Sequence, residues 1–161
     1  MYRYYLSFDD TDNLETPGTG HLLQEFLDRL PYDCTFISRH QLFVHHDVPY
    51  TSHNSAMCAL VSEDADFNRL VSDASEYLKA HAAAGSDPGL CAADCQKLSH
   101  PERVVAWGYR AKKEILQKND AYALAEECRI HLSEHGGDGQ GVVGALAAVG
   151  LRISGNDGRV K

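Results

Sequence analysis

Apolar residues recur along the chain with two periods. In "YRYYLSF" (2–8) the residues Tyr2, Tyr4, Leu6 and Phe8 share one face, which predicts a strand. In "HLLQEFLDRL" the period changes. Leu22, Leu23, Phe26, Leu27 and Leu30 fall on one helical stripe, and Pro31 follows its end. "CTFIS" and "QLFVHH" read as paired strands around Arg39-His40, and "SAMCALV" (55–61) as a third apolar strand after the loop "DVPYTSHN". Helical spacing returns within 64–83, at Phe67, Leu70, Val71, Ala74 and Leu78, ahead of the turn "GSDPG". A short strand "LCAA" comes next, then a helix from Pro101 to about Leu116, with Asn119-Asp120 placed to cap a helix "AYALAEEC". "RIHLSE" reads as a strand, "VVGALAAV" as a small-residue helix closed by Gly150, and "LRIS" as a last strand before "GNDG". Strands and helices alternate irregularly, without repeats or linkers. The pattern predicts one compact mixed-sheet domain with helices over 1–161, of class α+β or α/β.

Two stretches interrupt this pattern with residues suited to chemistry. Between the strand "RIHLSE" and the small-residue helix, Gly136, Gly137, Gly139, Gly141 and Gly144 clear the backbone of side chains. Such a turn can present N–H groups to phosphate at the positive end of a helix. "GQGVVG" (139–144) spells GxGxxG, yet only 17 residues follow Gly144, too few for a dinucleotide-binding fold, and no Lys-Ser or Lys-Thr follows for a Walker loop. A generic phosphate cradle remains, beside a plainer alternative: a tight turn that lets a small-residue helix pack closely on the sheet. The second stretch, "FDDTD" (8–12), sets Asp9, Asp10 and Asp12 at the C-terminal end of the first strand, where open α/β sheets bind ligands. Hard carboxylate oxygens suit Mg²⁺. The same residues also suit a solvated loop capping the helix that begins near Gly20. Taken together, acidic groups for a metal and amides for phosphates describe a nucleoside-triphosphate site.

Charge and cysteine content narrow the partners. Fifteen basic against 23 acidic residues give a formal net charge of −8, which argues against extended nucleic-acid contact by this chain alone. Cys34, Cys58 and Cys128 lie in or beside apolar runs and read as reduced core thiols, while Cys91 and Cys95 form a CxxxC pair with no second pair to complete a zinc site. No apolar run reaches the ~20 residues of a membrane span. "MYRYYLSFDD" lacks the basic region and apolar core of a signal peptide, so the expectation is a cytoplasmic protein without membrane attachment. "HHD" (45–47) reads as a polar strand end and His53 as a pocket-lining candidate. Arg103, Arg110, Lys112 and Lys113 read as a solvated helix face and Trp107 as core.

The residues also carry a resemblance. "SFDDTDNLETPGTGHL", "VPYTSHNSAMCALV" and "GDGQGVVGALAAVGLRISGNDGR" resemble the N-terminal, kinase-like part of archaeal tRNA-isoleucine agmatidine synthetase and its short stand-alone relatives. That enzyme uses ATP to attach agmatine to an anticodon wobble cytidine. The resemblance implies a non-classical kinase-like fold binding ATP and Mg²⁺. Asp9, Asp10 and Asp12 match the acidic run that holds the metal and acts in catalysis. Gly139, Gly141 and Gly144, with Gly137 beside them, match the nucleotide-binding glycine loop, and Asn156-Asp157 the terminal turn. Asn54 matches a polar position after the middle proline motif. The larger enzymes have a shorter loop and two threonines at the helix start, one of them phosphorylated; here Thr16 and Thr19 are nearest. The OB-fold and zinc-ribbon parts that grip tRNA have no counterpart in 1–161, so little or no tRNA binding by this chain alone is expected. The expected function is phosphoryl transfer or ATP hydrolysis related to tRNA modification. The alternative is a nucleotide- or partner-binding module without turnover, working as an oligomer or beside a separate tRNA-recognition subunit.

Overall fold

The structure, a computed structural model, describes residues 1–11, 18–43 and 55–160. The elements are β1 (Tyr2–Asp9), α1 (Thr19–Asp28), β2 (Ser38–Gln41), β3 (Ser55–Ser62), α2 (Phe67–His81) and β4 (Gly89–Asp94), followed by α3 (Pro101–Ala111), α4 (Lys118–Cys128), β5 (His131–Glu134), α5 (Gly141–Ser154) and β6 (Arg159–Val160). Among the described residues one sheet holds the six strands in the order β5-β4-β1-β3-β2-β6. Every neighbouring pair is antiparallel, so the fold is α+β and the sheet is not mixed. Its inner order β4-β1-β3-β2, with α1 and α2 as crossovers, is the split βαβ arrangement of ferredoxin-like domains.

Alternation in β1 divides the core into two layers. Tyr4, Leu6 and Phe8 point to one face, where they meet Leu23, Phe26 and Leu27 of α1 and Leu70 and Leu78 of α2. On the other face Cys58, Cys91 and Ala93 meet Val104 and Trp107 of α3, Ala121 and Ala125 of α4, and the small residues of α5. The sheet is therefore covered on both sides. Among the described residues no helix is long and apolar enough to cross a membrane.

Several elements differ from the sequence pattern, each for a physical reason. Arg39-His40 is not a turn between two strands but the centre of β2, where Arg39 pairs with Met57 and His40 with Ala56. Of the stretch "CTFIS" before it, Ser38 opens β2 and Cys34 makes an isolated bridge to Val61. "LRIS" is the last turn of α5 rather than a strand, and Gly150 lies inside the helix. A Cβ at Gly150 would run into the Val104 carbonyl, so the glycine serves close packing of α5 on α3. The helix stops at Gly155, whose φ of +73° favours glycine. The helix from Pro101 ends at Ala111 rather than Leu116. α4 begins at Lys118 with Gln117 as N-cap, so Asn119 and Asp120 sit in its first turn and do not cap it.

Candidate functional site

The acidic run sits where three elements meet. Asp9 closes β1, paired with Gly89 of β4, and is 8% exposed. Its carboxylate lies against Gly144 in the first turns of α5, filling the space a Cβ would need. One turn earlier Gly141 passes so close to the Asp9 carbonyl, the Gly89 amide and Asp87 that no side chain fits, and its N–H donates to the Asp87 carbonyl at 2.8 Å. Small residues therefore seat the N-terminus of α5 directly on the ends of β1 and β4. Its positive end faces the Asp9 carboxylate.

Asp10 follows with φ +54°, a left-handed conformation that aspartate tolerates better than most residues. At Thr11 the chain turns: the carbonyl accepts from the Ala83 amide at 2.8 Å, and Oγ1 donates to Thr19 Oγ1 at 3.0 Å. Both threonines are buried. Thr19 is the first residue of α1, whose N-cap Gly18 supplies no side-chain cap. Asp9, Asp10, Thr19, Gly141 and Gly144 thus come together at one end of the sheet. Asp12, Thr16, His45, His46, Asp47, His53 and Asn54 lie outside the described residues.

The glycine loop answers a demand from inside the protein. Gly137 and Gly139 adopt φ of +54° and +73°, and a Cβ on either would meet Asp87 or Glu134 respectively. The N–H of Asp138 donates to Asp87 Oδ1 at 2.8 Å and that of Gln140 to Asp138 Oδ1 at 2.9 Å. Gly139, Gly141, Val142 and Val143 donate to the carbonyls of Gly136, Asp87, Gly139 and Gln140. Among the described residues, only the Gly136 and Gly137 amides of this loop have no acceptor. The tight-turn alternative accounts for the loop's geometry.

Asn156 and Asp157 are not brought to this loop. They follow the far end of α5, whose 14 residues span about 21 Å. Asp157 instead receives His40 Nδ1 at 3.0 Å and Lys112 Nζ at 2.8 Å. His40 Nε2 lies 2.7 Å from Ser38 Oγ, to which Arg152 donates at 2.7 Å. Serine, histidine and aspartate stand here in the order of a hydrolytic triad, but His40 is fully buried and Ser38 nearly so, and Ser38 is held by Arg152 and the Cys58 carbonyl. The network locks the segment after α5 to β2. Burial pushes the His40 imidazole below its ordinary pKa despite Asp157. Burial also works against the Asp157 carboxylate, yet Lys112 and His40 hold it below the usual range.

The remaining candidates fall on surfaces and core. Arg103 pairs with Glu127 and Arg110 with Glu114, both exposed. Trp107 is buried and donates to the Val143 carbonyl at 3.2 Å. Cys91 is buried and Cys95 exposed, both as free thiols, and no group of three metal-binding side chains occurs among the described residues. Sequence reasoning missed Thr11 and Asp87. The "DTD" spacing held the first in view; nothing local marked the second, whose partners lie some 50 residues on.

The fold and site define a class of domain: a split βαβ sheet with a second helical layer, carrying carboxylates at the end of its first strand beside two helix N-termini. Solved structures of the agmatidine synthetase that acts on an isoleucine tRNA contain a domain of similar fold. The chain matches that enzyme in complex with its tRNA and ATP at a TM-score of 0.79 and 26% identity, over 93% of this chain and 36% of that one. A tRNA fluorescent labelling enzyme matches at 0.78 and 28% identity over 92% and 36% of the two chains, and the apo synthetase at 0.74 and 26% over 92% and 35%. The chain is similar to one domain of that synthetase, spanning little more than a third of the length of those proteins. No family model and no curated protein matches it.

Proposed function

We propose that this domain binds ATP with Mg²⁺ at the end of β1, between the N-termini of α1 and α5, as part of tRNA-modification chemistry. One observation carries the reading. Asp9, Asp10 and the buried Thr11–Thr19 pair converge on one sheet end, in a fold shared over 93% of the chain with a synthetase solved with tRNA and ATP. The donor set fits the metal, because carboxylate and hydroxyl oxygens are hard ligands and Mg²⁺ retains several waters rather than requiring a full protein cage. Asp9 and Asp10 would hold it, with Asp12 beside them in sequence. Bound Mg²⁺ would neutralise phosphate charge. Thr19 would face the phosphates from the first turn of α1, and the Gly136 and Gly137 amides would offer donors from the loop. Gly139, Gly141 and Gly144 would act by allowing the close approach of α5.

Phosphoryl transfer or ATP hydrolysis is the enzymatic form of this proposal. A binding module without turnover is favoured by one feature: the N–H groups of residues 138–143, which could stabilise developing phosphate charge, already serve acceptors of the protein. Single-turnover detection of product phosphate separates the two. Binding itself is tested by thermal unfolding. Ligand at a hundredfold excess over its dissociation constant adds ~2.7 kcal/mol, a melting shift of roughly 5–10 °C. ATP with Mg²⁺ should produce it and ATP with a chelator should not. Absence of any metal-dependent shift at millimolar nucleotide would refute the proposal.

A further inference from the structure

Lys118 occupies an unfavourable position by helix electrostatics. It is the first residue of α4, where the macrodipole repels a cation, and the N-cap Gln117 gives no compensating side-chain bond. Its partners explain it. Nζ donates to the Asp138 carbonyl at 2.6 Å and pairs with the Glu134 carboxylate at 3.2 Å. Glu134 accepts the Tyr122 hydroxyl at 2.7 Å on its Oε2 and fills the space below Gly139. The Tyr122 hydroxyl foremost, joined by Lys118, holds that carboxylate below its usual range. Gln140 reaches back to the Leu116 carbonyl at 3.5 Å on the same side, while Asp87 holds the loop from the other. The glycine loop is clamped between two sets of fixed groups.

We propose that Lys118, through Glu134 and the Asp138 carbonyl, is a positioning residue that holds the glycine loop and the start of α5 in the geometry the nucleotide meets. The inference rests on the ATP-binding reading above. It assigns the loop's order to a lysine outside the loop, the role a Walker lysine does not fill here. Partial exposure of Lys118 keeps the brace at the surface, so removing it spares the core.

The test compares the unaltered protein with Lys118→Met, Lys118→Arg and Tyr122→Phe. For each, the Mg²⁺-ATP dissociation constant, the apo melting temperature and amide hydrogen exchange across 138–143 are measured. Lys118→Met should speed exchange at Gly139, Gln140 and Gly141 and weaken ATP binding about fivefold, with the apo melting temperature changed by no more than about 2 °C. Lys118→Arg should restore most of the affinity, and Tyr122→Phe should fall between. Unchanged loop exchange in Lys118→Met overturns the proposal, as does unchanged affinity in a protein that does bind ATP. No ATP binding by the unaltered protein overturns it together with the nucleotide reading beneath it.

Discussion

Alanine at Gly144 adds one methyl group where α5 passes Asp9. In an exposed helix interior this change stabilises by about 0.8–1.0 kcal/mol, because glycine carries the larger entropy cost. Here the methyl would overlap Asp9 Oδ2 and come within 3.1 Å of Leu42 Cδ1. Overpacking of a filled site costs roughly 1–3 kcal/mol, so the two effects leave a net loss of about 0–2 kcal/mol. For a chain of this length that lowers the melting temperature by at most ~8 °C. Asp9 is the end of a short side chain and gives way before the helix does, so the larger effect should fall on Mg²⁺-ATP affinity, weakened more than about tenfold, or ~1.4 kcal/mol. Gly150→Ala is the matched control on the same helix. Its methyl meets the Val104 carbonyl, which is backbone and cannot rotate aside. It should cost stability of similar or greater size while the folded protein binds nucleotide unaltered. Calorimetric titration and thermal unfolding of both variants check this. Normal Mg²⁺-ATP affinity in folded Gly144→Ala would refute the placement of Asp9 at the ligand, and a raised melting temperature in Gly150→Ala would refute the close α3–α5 contact.

Asp10→Asn should weaken Mg²⁺-dependent ATP binding with little change in the apo melting temperature; titration with and without the metal checks it, and an intact metal dependence counts against Asp10 as a ligand. Burial holds His40, His131 and His135 below the ordinary histidine value. The unfolded chain therefore binds their protons first, and stability should fall as pH drops through about 6.5, levelling off below the folded values. Urea unfolding at pH 7.5 and 5.5 measures this, and equal stability at the two would contradict it. The isolated chain, with net charge −8, should bind tRNA weakly or not at all at ~150 mM salt; a submicromolar dissociation constant would reveal a basic surface not apparent in its charge balance.

What the sequence makes legible depends on whether burial is local. α1 and α2 bury one face each against the sheet, and β1 turns its large apolar residues to one layer, so their periods of two and 3.6 survive in the residue pattern. β2 does not, because "SRHQ" is polar throughout; its place in the sheet comes from pairing with β3 and from Arg152 and Asp157, more than 110 residues away. The end of α5 misleads for the opposite reason. A helix buried nearly all round has no polar face to mark its period, and Gly150 resembles a stop until α3 is laid beside it. At the site the acidic run was legible as a strand end, whereas Asp87 and Lys118 gain their meaning only from contacts the fold brings together.

The GxGxxG pattern shows most clearly where sequence inference stops. Whether a glycine admits a ligand or a neighbouring backbone, the requirement on the sequence is the same: no Cβ. The structure separates the two by the fate of the amides, and residues 138–143 give theirs to Asp87, Asp138 and the loop's own carbonyls. The positive end of α5 is likewise already faced by the Asp9 carboxylate. A phosphate brought to that point meets a like charge instead of a row of waiting donors. Attraction requires a divalent cation between them, since carboxylate and phosphate repel across a few ångströms of partly desolvated space. On the proposed reading, nucleotide binding at this site should therefore be metal-dependent outright rather than merely strengthened by metal. Asp9→Asn follows from the same argument: removing the charge should weaken binding in Mg²⁺ yet raise the residual affinity for ATP in chelator. Titrations of ATP against Asp9→Asn and the unaltered protein, each in Mg²⁺ and in chelator, decide it, and a loss of affinity in both conditions would show that Asp9 serves the fold alone.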